Sequence, residues 1–186
     1  MGKIIDALKA RFQTRDIPKT ARGRFNALMR KEKGDTSKVA ERLGVSRRSV
    51  QRYAKGDRDI SKSKPEILER LEKEVTRDHQ PRVRARAQKE AQQRGMTVET
   101  RAQFGFTAAG GSTDSARWRR MTEDVPSHLI PDVFEALRNG DEAELRKVLG
   151  QALAEEYFRV PGTAAEDLDV EFGEDDTIDY IELDLR

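Results

Sequence analysis

The sequence predicts a mainly α-helical chain with a small β component, an α+β fold, and three observations carry that reading. Apolar residues recur at helical spacing in several segments separated by Gly and Pro, while one central and two C-terminal stretches alternate instead. Charged residues make up 38% of the chain against 35% hydrophobic, a polar balance typical of amphipathic helices joined by solvated connections. The 186 residues leave room for two small domains, each burying its own core.

Ile4, Ile5, Leu8 and Phe12 mark a first helix, and Phe25, Leu28 and Met29 a second between Thr20 and Lys31. Both are expected to precede and support the segment Thr36 to Tyr53, which has the spacing of a helix-turn-helix. Two short helices that cross steeply need a small residue at the contact, a residue tolerant of positive φ in the turn, and apolar residues facing inward. Ala40, Gly44 and the set Val39, Leu43, Val45, Val50 and Tyr53 meet those needs in that order. Ser46 then caps the second helix. Its outward face is left to Arg47, Arg48, Gln51 and Arg52, whose forked and amide groups suit phosphates and base edges in the major groove of duplex DNA.

Ser63-Lys-Pro-Glu66 reads as a capping box opening a helix with Ile67, Leu68, Leu71 and Val75 inward. After Pro81 a basic helix carries Arg82, Arg84 and Arg86, candidates for a second contact to the DNA backbone. Met96 to Phe106 alternates as a strand, and Thr107 to Ser115, with Gly110 and Gly111, reads as a flexible loop. Helices follow from Asp132 to Asn139 and, after Gly140, from Asp141 through Phe158. The tail runs Leu168 to Phe172 and Ile178 to Leu183 flank Gly173 to Asp176 and predict an acidic β-hairpin. The domains expected are 1–80, the helix-turn-helix; 81–125, the basic helix, strand and loop; and 126–186, an acidic α+β interaction domain.

The net charge of +2 hides an asymmetry: residues 1–120 hold 31 Lys and Arg against 15 Asp and Glu, and residues 121–186 hold 5 against 19. A basic two-thirds suits a polyanion, and the acidic remainder would be repelled by it. No apolar run approaches the roughly 20 residues of a membrane span, and the first residues lack the apolar stretch of a secretion signal, so a cytoplasmic, nucleoid-associated location without membrane contact is expected. The chain has no cysteine, and His79 and His128 stand apart, so neither a catalytic nor a metal site is indicated. No Walker loop, metal-ligand spacing or nucleophile–base pair argues for an enzyme.

The run Val39 to Tyr53, then Gln103-Phe-Gly-Phe106, then Gly111-Ser-Thr-Asp-Ser-Ala-Arg117, then an acidic tail, resembles the telomere-protecting terminal proteins of Streptomyces linear chromosomes and plasmids over nearly the whole chain. The resemblance implies a protein bonded covalently to 5′ DNA ends, where it primes the synthesis that fills in opposite a 3′ overhang. It places the acceptor hydroxyl on Thr113, with Ser112, Ser115 and Thr107 as alternatives in the same loop. It implies as partners telomeric DNA, duplex and overhang, a telomere-associated recruiting protein and a DNA polymerase. That polymerase would supply the divalent metal ions and act on a deoxynucleotide, leaving the chain a primer with no cofactor of its own. A homo-oligomer is compatible with the same sequence. The competing reading is a transcriptional regulator with the same helix-turn-helix and a C-terminal dimerisation domain; a third is a structural interaction protein whose oppositely charged halves pair.

Overall fold

The computed structural model describes residues 2–108, 113–157, 168–173 and 175–186. The chain forms two compact units, Thr14–Pro81 and a second one that joins Met1–Gln13 to Arg82–Arg186.

Helix α1 (Lys3–Phe12) belongs to the second unit, a correction to its expected place beside the helix-turn-helix. Its apolar stripe, Ile4, Ile5, Leu8 and Phe12, is buried in the same cluster as the sheet described below, and Phe12 meets Phe134 with ring centroids 5.2 Å apart. The N-terminus of α1 is held by a carboxylate from far along the chain: Glu142 accepts from the N–H groups of Ile4 and Ile5, both at 2.9 Å. A negative charge there satisfies two orphan donors and complements the helix dipole. A Cβ on Gly2 would stand 1.8 Å from the Glu142 Cδ, which explains glycine at that position.

The first unit is all helical: α2 (Ala21–Lys31), α3 (Thr36–Leu43), α4 (Arg47–Lys55), a 3-10 turn at Ile60–Lys62, and α5 (Pro65–Asp78). Phe25, Leu28, Val39, Leu43, Val50, Tyr53, Ile60, Leu71 and Val75 fill its core. Burying one such side chain contributes about 1.5–3 kcal/mol. The expected capping box is absent. Helix α5 starts at Pro65 after Lys64 without a side-chain cap, because the Ser63 hydroxyl turns inward and donates to the Tyr53 hydroxyl at 2.9 Å.

In the second unit α6 (Pro81–Arg94) buries Ala87 and Ala91 against the sheet core. Strands β1 (Met96–Ala108) and β2 (Thr113–Val125) then pair antiparallel as a hairpin with a register shift between Phe104 and Phe106. Helices α7 (Ile130–Asn139) and α8 (Glu142–Tyr157) follow, the latter opened by Asp141, which accepts from the Glu144 N–H at 3.0 Å. Phe158, expected inside this helix, lies outside the described residues. Strands β3 (Leu168–Phe172) and β4 (Ile178–Leu185) complete the α+β fold.

Two expectations are revised in this unit. The loop Thr107 to Ser115 contracts: Thr107 and Ala108 end β1, and Thr113 to Ser115 begin β2, leaving residues 109–112 between the strands. The acidic hairpin does not form either. Among the described residues β3 pairs with β1 from Phe104 to Ala108 and β4 pairs with β1 from Met96 to Ala102, so the two tail strands lie end to end along one edge of β1. Pairing with the long central strand buries Ile178, Ile181 and Leu183 beside Val98 and Ala102, whereas an isolated two-stranded hairpin is marginal in water. Helices α1, α7 and α8 supply the other side of that core, and the opposite face of the sheet carries Thr97, Glu99, Arg101, Gln103, Trp118 and Arg120.

Candidate nucleic-acid interface

Helix α3 begins where the Asp35 carboxylate accepts from the N–H groups of Ser37 and Lys38, at 2.9 and 3.2 Å. Those two backbone hydrogen bonds hold its pKa below the ordinary aspartate value. The helix ends at Gly44, whose φ of 65° is the left-handed conformation the turn requires. Val45 N–H returns to the Ala40 carbonyl at 3.0 Å, closing the turn. Ser46 then starts α4, its hydroxyl accepting from the Ser49 N–H at 3.2 Å.

At 100° per residue the side chains of Arg47, Gln51, Lys55, Arg48 and Arg52 occupy an arc of about 140°, with Val50 and Tyr53 on the far side. The burial follows that geometry: the five polar residues are exposed, and Val50 and Tyr53 are buried. Lys55 belongs to this surface although the spacing argument passed over it; its position seven residues after Arg48 was the available signal. The nine residues of α4 span about 13 Å, and a B-DNA major groove about 12 Å wide admits a helix. Arg47 differs from its neighbours because its Nε donates to the Thr36 hydroxyl at 3.1 Å, which ties it back to the start of α3.

The recognition helix is braced from beneath. Tyr53 packs edge to face on Phe25, with centroids 5.9 Å apart, and the Arg58 guanidinium lies 5.5 Å from the Tyr53 ring centre. The Arg22 guanidinium donates to the Tyr53 carbonyl near the end of α4, which also accepts from the capping Gly56 N–H at 3.3 Å. Helix α3 is clamped through Arg42, whose guanidinium lies 2.6 Å from Glu32, Glu74 and Asp78. Although burial opposes its charge, hydrogen bonds to Asp78, Glu32 and Glu74 raise its pKa well above the ordinary arginine value. Arg24 makes a forked pair with Glu72, at 3.0 and 2.7 Å, joining α2 to α5. Arg22, Arg24 and Arg42 in this unit thus act as struts, while Arg47, Arg48 and Arg52 are exposed cations on α4.

Residues 27–73 match the Helix-turn-helix family. Together with the geometry, that match makes the unit Thr14–Pro81 the carrier of a DNA-binding helix-turn-helix. No curated protein and no solved structure matches the chain.

The remaining sequence-derived candidates fall in the other unit, and the structure separates them. Arg82 and Arg86 are one turn apart on α6 and exposed, but Arg84 points about 200° away from Arg82 and is half-buried with partners of its own. The three arginines are thus not one contact surface, a correction to their grouping; the stripe that α6 exposes is Arg82, Arg86 and Lys89. Thr113 is the first residue of β2, its backbone opposite Thr107, and not the middle of a free loop. Ser112 lies outside the described residues, while Ser115 lies within β2. The histidines are held in local contacts, His79 with its Nε2 2.7 Å from the Arg15 carbonyl and His128 3.4 Å from the Glu155 carboxylate. Among the described residues no helix is long and apolar enough to cross a membrane.

Sequence reasoning missed Trp118. This sole tryptophan is 47% exposed on the sheet face opposite the buried core, between arginines in the run Arg117-Trp-Arg-Arg120. An aromatic residue inside a charged run was the signal.

Proposed function

We propose that the chain is a primer protein for DNA ends: α4 seats it on duplex DNA, and the Thr113 hydroxyl accepts the first deoxynucleotide. The observation that supports this reading is the place of Thr113, at the turn end of the β1–β2 hairpin, in a unit separate from the helix-turn-helix. Such a division lets one part hold the duplex while another presents a hydroxyl to an enzyme. The Thr113 oxygen attacks the α-phosphorus of a deoxynucleoside triphosphate; a new oxygen–phosphorus bond forms, the bond to pyrophosphate breaks, and the hydroxyl proton passes to the polymerase site. A DNA polymerase provides the divalent ions that lower the pKa of the attacking hydroxyl and neutralise the leaving pyrophosphate. The product is a nucleotide joined through its 5′-phosphate to Thr113, with a free 3′-hydroxyl for extension. A telomere-associated protein that binds the 3′ overhang would recruit the chain, and the covalent linkage would then cap a linear chromosome or plasmid in the cytoplasm.

The decisive experiment incubates the protein with labelled deoxynucleotide, polymerase, recruiting protein and a telomeric template. A labelled protein band that disappears in Thr113→Ala supports the reading, and persistence of the band moves the acceptor to another hydroxyl. Absence of a band with the unmodified chain favours the second reading, a transcriptional regulator whose C-terminal unit dimerises. The match over residues 27–73 favours that reading as much as priming, since it concerns only the part that both share.

A further inference from the structure

Trp118 stands on the open face of the sheet among groups that suit a nucleobase. Its register partner on β1 is Gln103, and the next pair on the same face is Arg101 opposite Arg120. The Arg101 guanidinium lies 5.4 Å from the indole centre. The side chains of Arg101 and Arg120 are 52% and 72% exposed. Among the described residues, the apolar side chains Ala102, Phe104, Met121 and Val125 of β1 and β2 lie on the opposite, helix-covered side of the sheet and are buried, so the ring is left exposed. A large aromatic surface left in water beside two guanidinium groups and an amide has the composition of a base-stacking platform.

We infer that this face binds single-stranded nucleic acid, with a base stacked on Trp118 and the neighbouring phosphates drawn to Arg120 and Arg101. The two arginines already have partners, Glu99 at 2.9 Å and Asp179 at 2.6 Å. These are exposed pairs, screened by salt and weak, so a phosphate can replace a carboxylate. Acidic side chains on β4, Asp179, Glu182 and Asp184, make the far side of the face repellent and confine a bound strand to the β2 side. A duplex is excluded because its base faces are already stacked on one another, whereas a single strand can offer one to the indole. Along β2 the platform lies five residues from Thr113, or about 16 Å in an extended strand. The inference stands without the priming reading, since it needs neither the Thr113 hydroxyl nor α4.

Because Trp118 is the only tryptophan, fluorescence of the full chain excited selectively at the indole, apart from its three tyrosines, reports on this face alone. Titration with twelve-residue oligo(dT), and separately with oligo(rU), is expected to quench the indole to less than half its starting intensity. Arg48→Ala/Arg52→Ala should keep that quenching, which assigns it to the sheet and not to α4. Trp118→Leu should weaken binding of dye-labelled oligo(dT) at least tenfold by anisotropy, with Trp118→Phe in between. A twofold or greater preference for oligo(dT) over oligo(rU) assigns the platform to DNA, and the reverse to RNA; either supports the inference. Unchanged fluorescence with both oligonucleotides, equal quenching by heparin, which has charge but no bases, or full affinity in Trp118→Leu would overturn it. Loss of nucleotide labelling at Thr113 with quenching intact would sink the priming reading and leave this one standing.

Discussion

The carboxylate of Glu142 accepts the N–H of Ile4 at 2.9 Å and, through its second oxygen, that of Ile5 at the same distance. One side chain at the start of α8 thereby closes the N-terminus of α1 and fixes the first helix of the chain to the sheet unit. Glu142→Ala leaves both amides unpaired beside a buried stripe and should cost that unit about 1–2 kcal/mol, the range of a lost helix cap. Glu142→Gln, which can accept only one of the two bonds and carries no charge, should fall between. Denaturant unfolding of the full chain followed by the Trp118 signal measures this, because Trp118 lies in the same unit. Equal midpoints for the three proteins would show that the cap contributes nothing.

The Ser63 hydroxyl donates to the Tyr53 hydroxyl at 2.9 Å in the core of the helix-turn-helix unit. Tyr53→Phe removes the acceptor and leaves a buried hydroxyl without its partner, so a loss of about 1–2 kcal/mol is expected. Adding Ser63→Ala should restore most of that loss, because the pair is then replaced by two apolar groups. Circular dichroism melts of the single and double variants read the coupling. A double variant less stable than Tyr53→Phe would place the energy of Ser63 in some other contact.

How much of this was legible in the sequence depended on whether the signal was local. The helix-turn-helix was, since Gly44, Ser46 and the apolar set act within a few residues of one another, and the match to residues 27–73 falls on the same segment. The stripe on α1 announced a buried face but not the surface that buries it; Glu142 and Phe134, which decide that, are far away in the chain. Strand β2 gave no alternation to read, because its outer face carries Trp118 and Arg120 and its inner face buries a polar residue, Arg119, which donates to the Phe104 carbonyl at 2.9 Å. The tail strands had the right periodicity and the wrong partner: two alternating runs around a glycine look the same whether they pair with each other or side by side with a third strand. Ser63 had the residue type of a cap, but a buried tyrosine hydroxyl outcompeted the backbone amide.

Asp35 supplies a pH dependence of known sign. Its pKa is lowered in the folded state, first by the hydrogen bond from Lys38 N–H and then by that from Ser37 N–H. A carboxylate lowered on folding contributes stability that is complete above its unfolded-state value, near 3.8, and is lost as the pH falls through the lower folded-state value. Asp35→Asn keeps a capping oxygen but cannot titrate. The stability difference between the original chain and Asp35→Asn should therefore be constant at neutral pH and shrink in acid below about pH 4. Urea unfolding from pH 3 to pH 7 checks it. A difference that grows on acidification would contradict the assigned cap.

The exposed residues of α4 should separate by what they touch on DNA. Arg47 is tethered to Thr36, so its guanidinium is held near the start of α3, and a phosphate contact rather than a base contact is the expected outcome. Arg47→Ala is expected to weaken duplex binding about equally for every sequence and to lower the slope of log affinity against log salt by about one. Arg48, Gln51 and Arg52 have exposed side chains on the α4 surface, where a guanidinium or amide can form two hydrogen bonds to one base. Replacing one base-reading residue among them with Ala should relax selectivity at a single base pair, by about 1–3 kcal/mol, while leaving the salt slope nearly unchanged. Binding to a randomised duplex pool at several salt concentrations distinguishes the two behaviours. If Arg47→Ala alters the selected sequence and none of the other three does, the helix enters the groove by its N-terminal end alone, and the reading surface is smaller than the exposed arc.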